Sequence, residues 1–350
     1  MTGAFISTPI DTIEHLTQCP ICGGAPTRRM WCNTDMQYSG YCPEFRMRVC
    51  GSCGVYFMDI RSAEAHVHNY YRPESYTPYA KDLGRQENYA PYSSRLFGKW
   101  FQSKAAMPMW WAIDCMTAPL LEWPNAWLRS RLDRAVDQAY RERAAGTRFL
   151  DYGCGTSSWL RKAKEFGWNA HGVDFSPNVV KALRAEGFGA SLAKDWLAGE
   201  EHMQYELVRL NHVLEHFYDP EVVLRKIFER LAPGGLLHIA TPNPMSWVRT
   251  VFGRHWWGFE YPRHITLFPP AALRKLLKSL GFRNIQIISN PVQKDFIRSL
   301  GSWLASQGRL PREQVVHIRY DAFYSRIVAL PAALMSLVHR SDQYSVLATR

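Results

Sequence analysis

Phe149-Leu150-Asp151-Tyr152-Gly153-Cys154-Gly155-Thr156 is the stretch that decides the fold of this chain. Phe149 and Leu150 predict the end of a buried strand. Gly153 and Gly155 let the backbone turn tightly and approach a ligand where a Cβ would clash. Thr156 or Ser157 stands where a helix cap is needed, and the helix that follows would turn Trp159, Ala163 and Phe166 to the core and stop at Gly167. A strand, a glycine turn and a helix N-terminus together make a nucleotide-sized pocket. Asp151, at the strand end, puts a carboxylate where a cationic amino group can sit.

Two ligand classes compete for this pocket. A dinucleotide fingerprint asks for a third small residue, Gly or Ala, where this chain has Ser158. The segments downstream therefore decide. Asn169 to Val173 reads as a second strand, ended by Asp174, roughly 20 residues beyond the turn, where an acid accepts hydrogen bonds from ribose hydroxyls. Ser176-Pro177 is an N-cap with proline at the first helical position, and Gly187 is the stop. Asp195 and Trp196, after Leu192, form a polar and aromatic pair suited to the edge and face of adenine. Tyr205 to Leu210 predicts another strand, leading into Asn211-His212-Val213-Leu214-Glu215-His216. Asp219-Pro220-Glu221 opens a helix with Val223, Leu224, Ile227, Phe228 and Leu231 on one stripe. Pro233-Gly234-Gly235 then turns the chain into a strand over Leu236 to Ala240, followed by Thr241-Pro242-Asn243.

In this order the segments resemble a known group. Asp151-x-Gly153-x-Gly155 is similar to the first motif of class I S-adenosylmethionine (SAM) methyltransferases. HVLEH at 212–216, Asp219-Pro220, LAPGG at 231–235 and TPN at 241–243 resemble the methyltransferases that include the ubiquinone and menaquinone biosynthesis enzymes. PRHITLF at 262–268 and a leucine-striped helix closed by Gly281-Phe282 extend the likeness, which covers roughly 146–290. The resemblance implies a doubly wound, Rossmann-like α/β sheet of seven strands. It also implies that Asp151, Gly153 and Gly155 hold the methionine end of SAM. Asp174, with the adjoining Phe175, would hold the ribose, Asp195 and Trp196 the adenine region, and Asn211 would line the methyl-transfer site.

The 350-residue chain is long enough for one large domain and an appendage, and 47% of it is apolar, enough for a sizeable core. No charged-then-apolar leader opens the sequence, and no run of about 18 uncharged apolar residues occurs. A cytoplasmic protein, with peripheral contact at the inner face of a membrane as an open option, is expected. The net charge of +11 is spread along the chain. Nucleic acid would ask for Lys and Arg clustered on one face, whereas residues 1–60 carry only Arg28, Arg29, Arg46 and Arg48. An anionic surface or a phosphorylated substrate fits the same balance.

Cys19-Pro20-Ile21-Cys22-Gly23 and Cys50-Gly51-Ser52-Cys53-Gly54 are two C-x-x-C-G knuckles, with a spacer of 27 residues at 23–49. Each glycine permits the turn that points both thiolates at one ion. The pattern predicts a zinc ribbon over 1–68 with Cys19, Cys22, Cys50 and Cys53 as tetrahedral ligands, closed and structural in role. Disulfides are disfavoured in a reducing compartment, and a redox C-x-x-C needs only one copy. Cys32 and Cys42 remain as possible extra ligands, or as ordinary buried thiols, and no thiol role is expected of Cys115 or Cys154.

An aromatic-rich helical connector or cap is expected over 69–140. It includes Tyr70, Tyr71, Tyr76, Tyr79, Tyr89, Tyr92, Trp100, Phe101, Met107, Met109, Trp110, Trp111, Trp123 and Trp127. It reads as packing on the core, as a substrate lid or as a face for the water–lipid boundary. The methyltransferase core would occupy 141–350. Asn284 to Ser289 alternates like a half-buried strand, and its expected partner, Tyr344 to Ala348, arrives only after a helical insertion at 290–343. That insertion carries Phe296, Ile297, Leu300, Trp303 and Leu304 at helical spacing. Its second apolar stretch holds Ile327, Val328, Leu330, Leu334, Met335, Leu337 and Val338, flanked by Arg326 and Arg340. Such a stripe suits a lipid interface, a buried helical pair or a dimer face.

Methyl transfer to oxygen needs alignment, exclusion of water and a base for the hydroxyl proton. His212, His216 and His264 are the candidates, with Glu215, Glu260 and Tyr261 close in sequence. His264 or His216 is expected as the base, with His212 lining the site. His212 and His216, four apart, would share a face if helical, a spacing that also suggests metal ligands. The ribbon-plus-core layout resembles bacterial methyltransferases of sugar and cell-surface glycan biosynthesis. Their deoxysugar C-methylating members carry a further C-terminal domain that this length does not accommodate. The expected acceptor is therefore an oxygen of a sugar, a lipid-linked glycan or another small intermediate. A zinc-ribbon RNA base methyltransferase is the alternative, and a non-catalytic binding subunit the third option.

Overall fold

A computed structural model describes residues 13–34, 44–71, 135–155, 158–199, 203–290, 294–311, 315 and 322–350. In chain order its strands are β1 (Ile13–His15), β2 (Pro26–Asn33), β3 (Phe45–Cys50), β4 (Tyr56–Ser62), β5 (Arg148–Tyr152), β6 (Asn169–Asp174), β7 (Gly189–Leu192), β8 (Tyr205–Asn211), β9 (Leu231–Pro242), β10 (Thr266–Leu267), β11 (Arg283–Asn290) and β12 (Gln343–Thr349). The helices are α1 (Ser158–Glu165), α2 (Pro177–Ala185), α3 (Ala193–Ala198), α4 (Pro220–Arg230), α5 (Trp247–Phe252), α6 (Pro270–Ser279), α7 (Lys294–Ser306) and α8 (Ala322–Leu337).

Seven strands form the main sheet in the order β11-β12-β9-β8-β5-β6-β7. β5 to β9 pair in parallel, and β12 runs antiparallel between β9 and β11. This is a doubly wound, Rossmann-like α/β sheet. Alternation along the central strands explains why both faces are covered. Leu150, Val208 and Leu237 face α4 and α6 through Val223, Leu224, Ile227, Leu273 and Leu277. Phe149, Leu207 and Leu236, one residue earlier in each strand, face α1 and α2 through Leu160, Ala163, Val180 and Leu183. The order reverses between β5 and β8, and it is outside the carboxyl ends of strands at such a point that ligands bind.

Three local expectations change. The buried face of α1 is Leu160 and Ala163, while Phe166 is 42% exposed, because the helix ends at Glu165, one residue before it. Pro233-Gly234-Gly235 does not break the chain before β9. The strand starts at Leu231, and its register against β8 shifts between Tyr205↔Leu231 and Leu207↔Leu236, so the three residues form a bulge within it. Ser176 occupies the N-cap of α2 without a side-chain cap bond. Its own N–H donates instead to Asp174 Oδ1 at 2.9 Å.

The cysteine-bearing unit has its own sheet, β1-β4-β3-β2, and β10 pairs antiparallel with β4 (Thr266↔Phe57, Leu267↔Tyr56). Phe45, Met47, Tyr56 and Met58 from this sheet share one apolar cluster with Val248, Trp256, Phe259, Tyr261 and Ile265 from the segment after β9. The N-terminal unit therefore packs on the segment that leads to His264. α7 and α8 lie between β11 and β12. Of the aromatic connector, only 69–71, with Tyr70 and Tyr71, and 135–140 fall within the described residues; the rest of it, with Cys42 and Cys115, lies outside them, as do Thr156 and Ser157.

Candidate active site

The glycine turn leaves β5 at Tyr152. Gly153 has φ +76° and Gly155 φ +49°, a region that favours glycine. A Cβ on Gly153 would lie 2.3 Å from Val213 Cγ2, so the missing side chain lets the loops after β5 and β8 meet, whereas one on Gly155 would have no atom of the described residues within 4 Å. Gly155 N–H donates to Asp174 Oδ2 at 3.0 Å, so both oxygens of Asp174 hold backbone at the strand end. Burial pushes the Asp174 carboxyl up, and the bonds from Ser176 and Gly155 oppose it.

Asp151 is buried and accepts from Arg209 Nη1 at 3.0 Å. Arg209 stands opposite it on β8, with His238 opposite Arg209 on β9. The Arg209 guanidinium lies 4.7 Å from the Trp159 ring centre, and Tyr140 Oη is 2.6 Å from His238 Nδ1. A polar row thus runs beneath α1 at the level of the first motif. Sequence reading missed Arg209. The available signal was a charged residue inside Leu207-Val208-Arg209-Leu210, a run otherwise apolar and buried.

The adenine pair separates. Asp195 is exposed on α3, while Trp196 is 3% exposed, edge-on to Tyr152 and 4.7 Å from the Arg230 guanidinium. The indole is a core side chain, because α3 turns it into the cluster beneath the sheet. Phe175 is 47% exposed beside Asp174. Asn211 ends β8, half-buried, opposite Ala240.

His212, His216 and His264 gather with Glu215 and Glu260 beyond β8. His212 and His216 do not share a helix face. His212 has φ +54°, and only Leu214–His216 form a helical turn. Glu215 is fully buried. Its Oε2 accepts from Thr241 Oγ1 at 3.0 Å, and Oε1 lies 3.4 Å from His212 Nδ1 and 3.9 Å from His264 Nε2. Burial alone would raise its carboxyl. The contact with His212 and the neighbouring charges of His264 and His216 outweigh that and bring it to about 2. Glu260, also at about 2, faces Arg263 Nε at 3.0 Å and His264 Nε2 at 3.4 Å; burial again opposes, and His264 and Arg263 prevail.

Hydrogen-bond partners fix the ring roles. Arg263 O lies 2.9 Å from His216 Nδ1 and can only accept, so that nitrogen carries the proton. Tyr71 Oη is 2.9 Å from the same atom. His216 Nε2 has no hydrogen-bond partner among the described residues and is the available base. Burial and the nearby His264 lower the His216 pKa to about 4. His264 Nδ1 donates to Gly258 O at 2.8 Å, and its Nε2 faces the two carboxylates. Glu215, His216 and His264 also bring ligand atoms within 4.8 Å of one another, a donor set that divalent transition metals accept.

The thiols of Cys19, Cys22, Cys50 and Cys53 lie within 4.8 Å of one another, with Sγ–Sγ distances of 3.7 Å (Cys19–Cys53) and 3.4 Å (Cys22–Cys50). A tetrahedral Zn²⁺ with Zn–S of about 2.3 Å sets sulfurs about 3.8 Å apart, so the four residues fit the ion. The knuckles are built alike. Gly23 N–H donates to Cys19 O and Gly54 N–H to Cys50 O, with φ +67° and +75° at the glycines. Cys50 Sγ accepts from Ser52 and Cys53 N–H, each at 3.4 Å. Those bonds overcome burial and lower its thiol to about 7, while burial raises Cys19 to about 11. Cys32 lies on β2, apart from this cluster.

Residues 125–287 match the family model described as a methyltransferase domain. The ubiquinone biosynthesis O-methyltransferase of Xanthomonas oryzae pv. oryzae is 30% identical over 163 residues, 44% of this chain and 65% of that protein. The protein of the same name from Xanthomonas axonopodis pv. citri is 27% identical over 187 residues, 50% of this chain and 75% of its own. This chain therefore spans just under two thirds of the first of these relatives. A SAM-dependent methyltransferase structure from Archaeoglobus fulgidus aligns at 20% identity and a TM-score of 0.41, over 63% of this chain and 94% of its own. The matched segment, 125–287, holds β5 to β10 with the glycine turn, so this part of the chain is similar to a methyltransferase domain.

Proposed function

We propose that this chain transfers a methyl group from SAM to an oxygen of a sugar, a glycolipid or another small biosynthetic intermediate. One observation carries the reading: the carboxyl ends of β5, β6 and β8 bring Gly153 and Gly155, Asp174, and His216, whose Nε2 has no hydrogen-bond partner among the described residues, to one edge of the sheet. The glycine turn, with no atom of the described residues within 4 Å of a Cβ on Gly155, and the acids Asp151 and Asp174 suit an adenosyl-methionine ligand, with Asp151, Gly153 and Gly155 at the methionine end and Asp174 and Phe175 at the ribose. Bound there, SAM supplies an electrophilic methyl on a sulfonium. His216 Nε2 accepts the acceptor hydroxyl proton, and Glu215 and Glu260 stabilise the resulting imidazolium. His264, held between two glutamates, fixes their positions, and His212 lines the site. Zinc on the four cysteines holds the N-terminal unit together and takes no part in the chemistry.

A small acceptor is supported by the engagement of Arg46 and Arg48, which both face Asp59, at 2.7 and 3.6 Å, and so offer little to an RNA backbone. No described helix is long and apolar enough to cross a membrane. The exposed Leu334, Leu337 and Val338 near the end of α8 support peripheral contact for a lipid-linked acceptor. The test is mass spectrometry of cell extracts incubated with the protein and isotopically labelled SAM. A labelled sugar or lipid-linked glycan is expected, and labelled RNA would overturn the reading.

A further inference from the structure

Tyr71 lies far from the methyltransferase motifs in sequence, directly after the seven-residue 3-10 helix Glu64–Tyr70 that follows β4. In space it reaches both sides of the candidate cleft. Its ring meets Phe175 edge-on, with centroids 5.1 Å apart and planes at 61°. Its hydroxyl is 2.9 Å from His216 Nδ1, and its ring centroid is 5.9 Å from that imidazole. Phe175 follows Asp174 at the end of β6, on the ribose side. His216 follows β8, on the transfer side. One side chain from the start of the connector therefore spans the carboxyl edge of the sheet between the two halves of the site.

Two features make this more than a passing contact. Phe175 is 47% exposed, so its ring is not a core side chain that Tyr71 merely helps to bury. The His216 end is fixed from behind, since Nδ1–H donates to Arg263 O and shares the bond with the Tyr71 hydroxyl oxygen, and Arg263 is itself buried and points Nη1 at Tyr70 O, 3.4 Å away. The backbone before Tyr71 and the imidazole that its hydroxyl meets are thus tied through one arginine.

We infer that Tyr71 is a positioning residue of the cofactor cleft: its hydroxyl is anchored on His216 so that its ring holds Phe175 over the adenosyl side. The inference rests on the SAM reading above and extends the binding site to a residue at the start of the connector that follows the cysteine-bearing unit. An edge-on aromatic pair contributes about 0.5–1.5 kcal/mol, roughly two- to tenfold in affinity.

Calorimetric titration of the full chain with S-adenosylhomocysteine tests it. Tyr71→Leu and Phe175→Leu should each weaken binding roughly two- to tenfold, and the double variant should be no weaker than either alone. Tyr71→Phe keeps the ring without its anchor and should fall between wild type and Tyr71→Leu. Wild-type affinity in Phe175→Leu, an exposed position where loss of folding is not expected, would overturn the inference. So would additive losses in the double variant. Failure of the wild-type chain to bind the ligand at all would count against the SAM reading itself, which keeps the two outcomes apart. A Tyr71→Leu chain with a lowered melting temperature but unchanged affinity would make Tyr71 a packing residue only.

Discussion

Asp151 and Arg209 stand opposite each other on β5 and β8, with Oδ1 and Nη1 3.0 Å apart and little solvent on either. Burial pushes the Asp151 carboxyl up, and Arg209 opposes that. Breaking such a pair from one side leaves a buried charge alone and costs about 3–5 kcal/mol. Arg209→Met should lower the unfolding free energy in urea by about that much, and Asp151→Asn with Arg209→Met should recover most of it. A double variant as unstable as the sum of the two singles would remove the pairing argument. Asp151→Asn alone should also weaken S-adenosylhomocysteine binding, because the same carboxylate faces the methionine end in the proposed site.

The histidine–glutamate group makes the protein acid-labile, with a definite sign. His216 is lowered to about 4 in the fold from an ordinary value near 6.5. Below that value the unfolded chain takes up a proton that the folded chain refuses, so stability falls as pH drops from about 6.5 towards 4. Glu215 and Glu260, both at about 2, contribute stability above their ordinary value of 4.5 and lose it as pH falls towards 2. Denaturation midpoints measured between pH 7 and 3 should decline in both windows, and His216→Asn should flatten the first. With His216 as base, label transfer should stay level from neutral pH down to about 5 and fall as the imidazole protonates. A limb centred near 6.5 that persists in His216→Asn would move the base to another residue.

The four cysteines should bind one zinc ion per chain, measurable by elemental analysis of the purified protein. Removal by a strong chelator, or Cys53→Ser, should lower the melting temperature. The effect should reach the active site, because β4 pairs with β10 and Met58 N–H donates to Ile265 O, next to His264. A chelated protein that keeps full label transfer would separate the N-terminal unit from the chemistry. Restoring activity with a metal that leaves the four thiols empty would point instead to the Glu215, His216 and His264 donor set.

Much of this was legible in the chain because it is local. The glycine turn, the helix starts at Pro177 and Pro220 and the two knuckles each depend on residues a few positions apart, where backbone sterics act directly. Asp219 caps α4 by accepting from Val222 N–H at 3.1 Å, as its position before Pro220 implies. What was not legible depends on register and distance. Arg209 meets Asp151 only because β5 and β8 align those two positions. Trp196 looked available to adenine, but α3 rotates it into the core. Tyr71 reaches His216 across 145 positions of chain, and no periodicity encodes such a contact. The His212 and His216 spacing suggested a helix, but the residues between them follow the end of β8, where His212 N–H still bonds to Ala240 O at 2.8 Å.

That bond holds His212 at φ +54°, a conformation costing a residue with a Cβ about 1 kcal/mol. The strain sits where β8 ends and where Val213 must approach Gly153. His212→Ala and His212→Gly both lose the imidazole and its contact with Glu215, so their difference isolates the backbone. The glycine variant should be more stable than the alanine variant by about 1 kcal/mol in urea, since only glycine occupies this region freely. Activity should not follow stability. A glycine here loosens the turn that carries Glu215 and His216, and misplacement of a reacting group by about 1 Å costs on the order of a hundredfold. Label transfer by His212→Gly should therefore lie well below wild type despite its better fold. Equal stability of the two variants would show that the left-handed geometry at His212 is not held in solution.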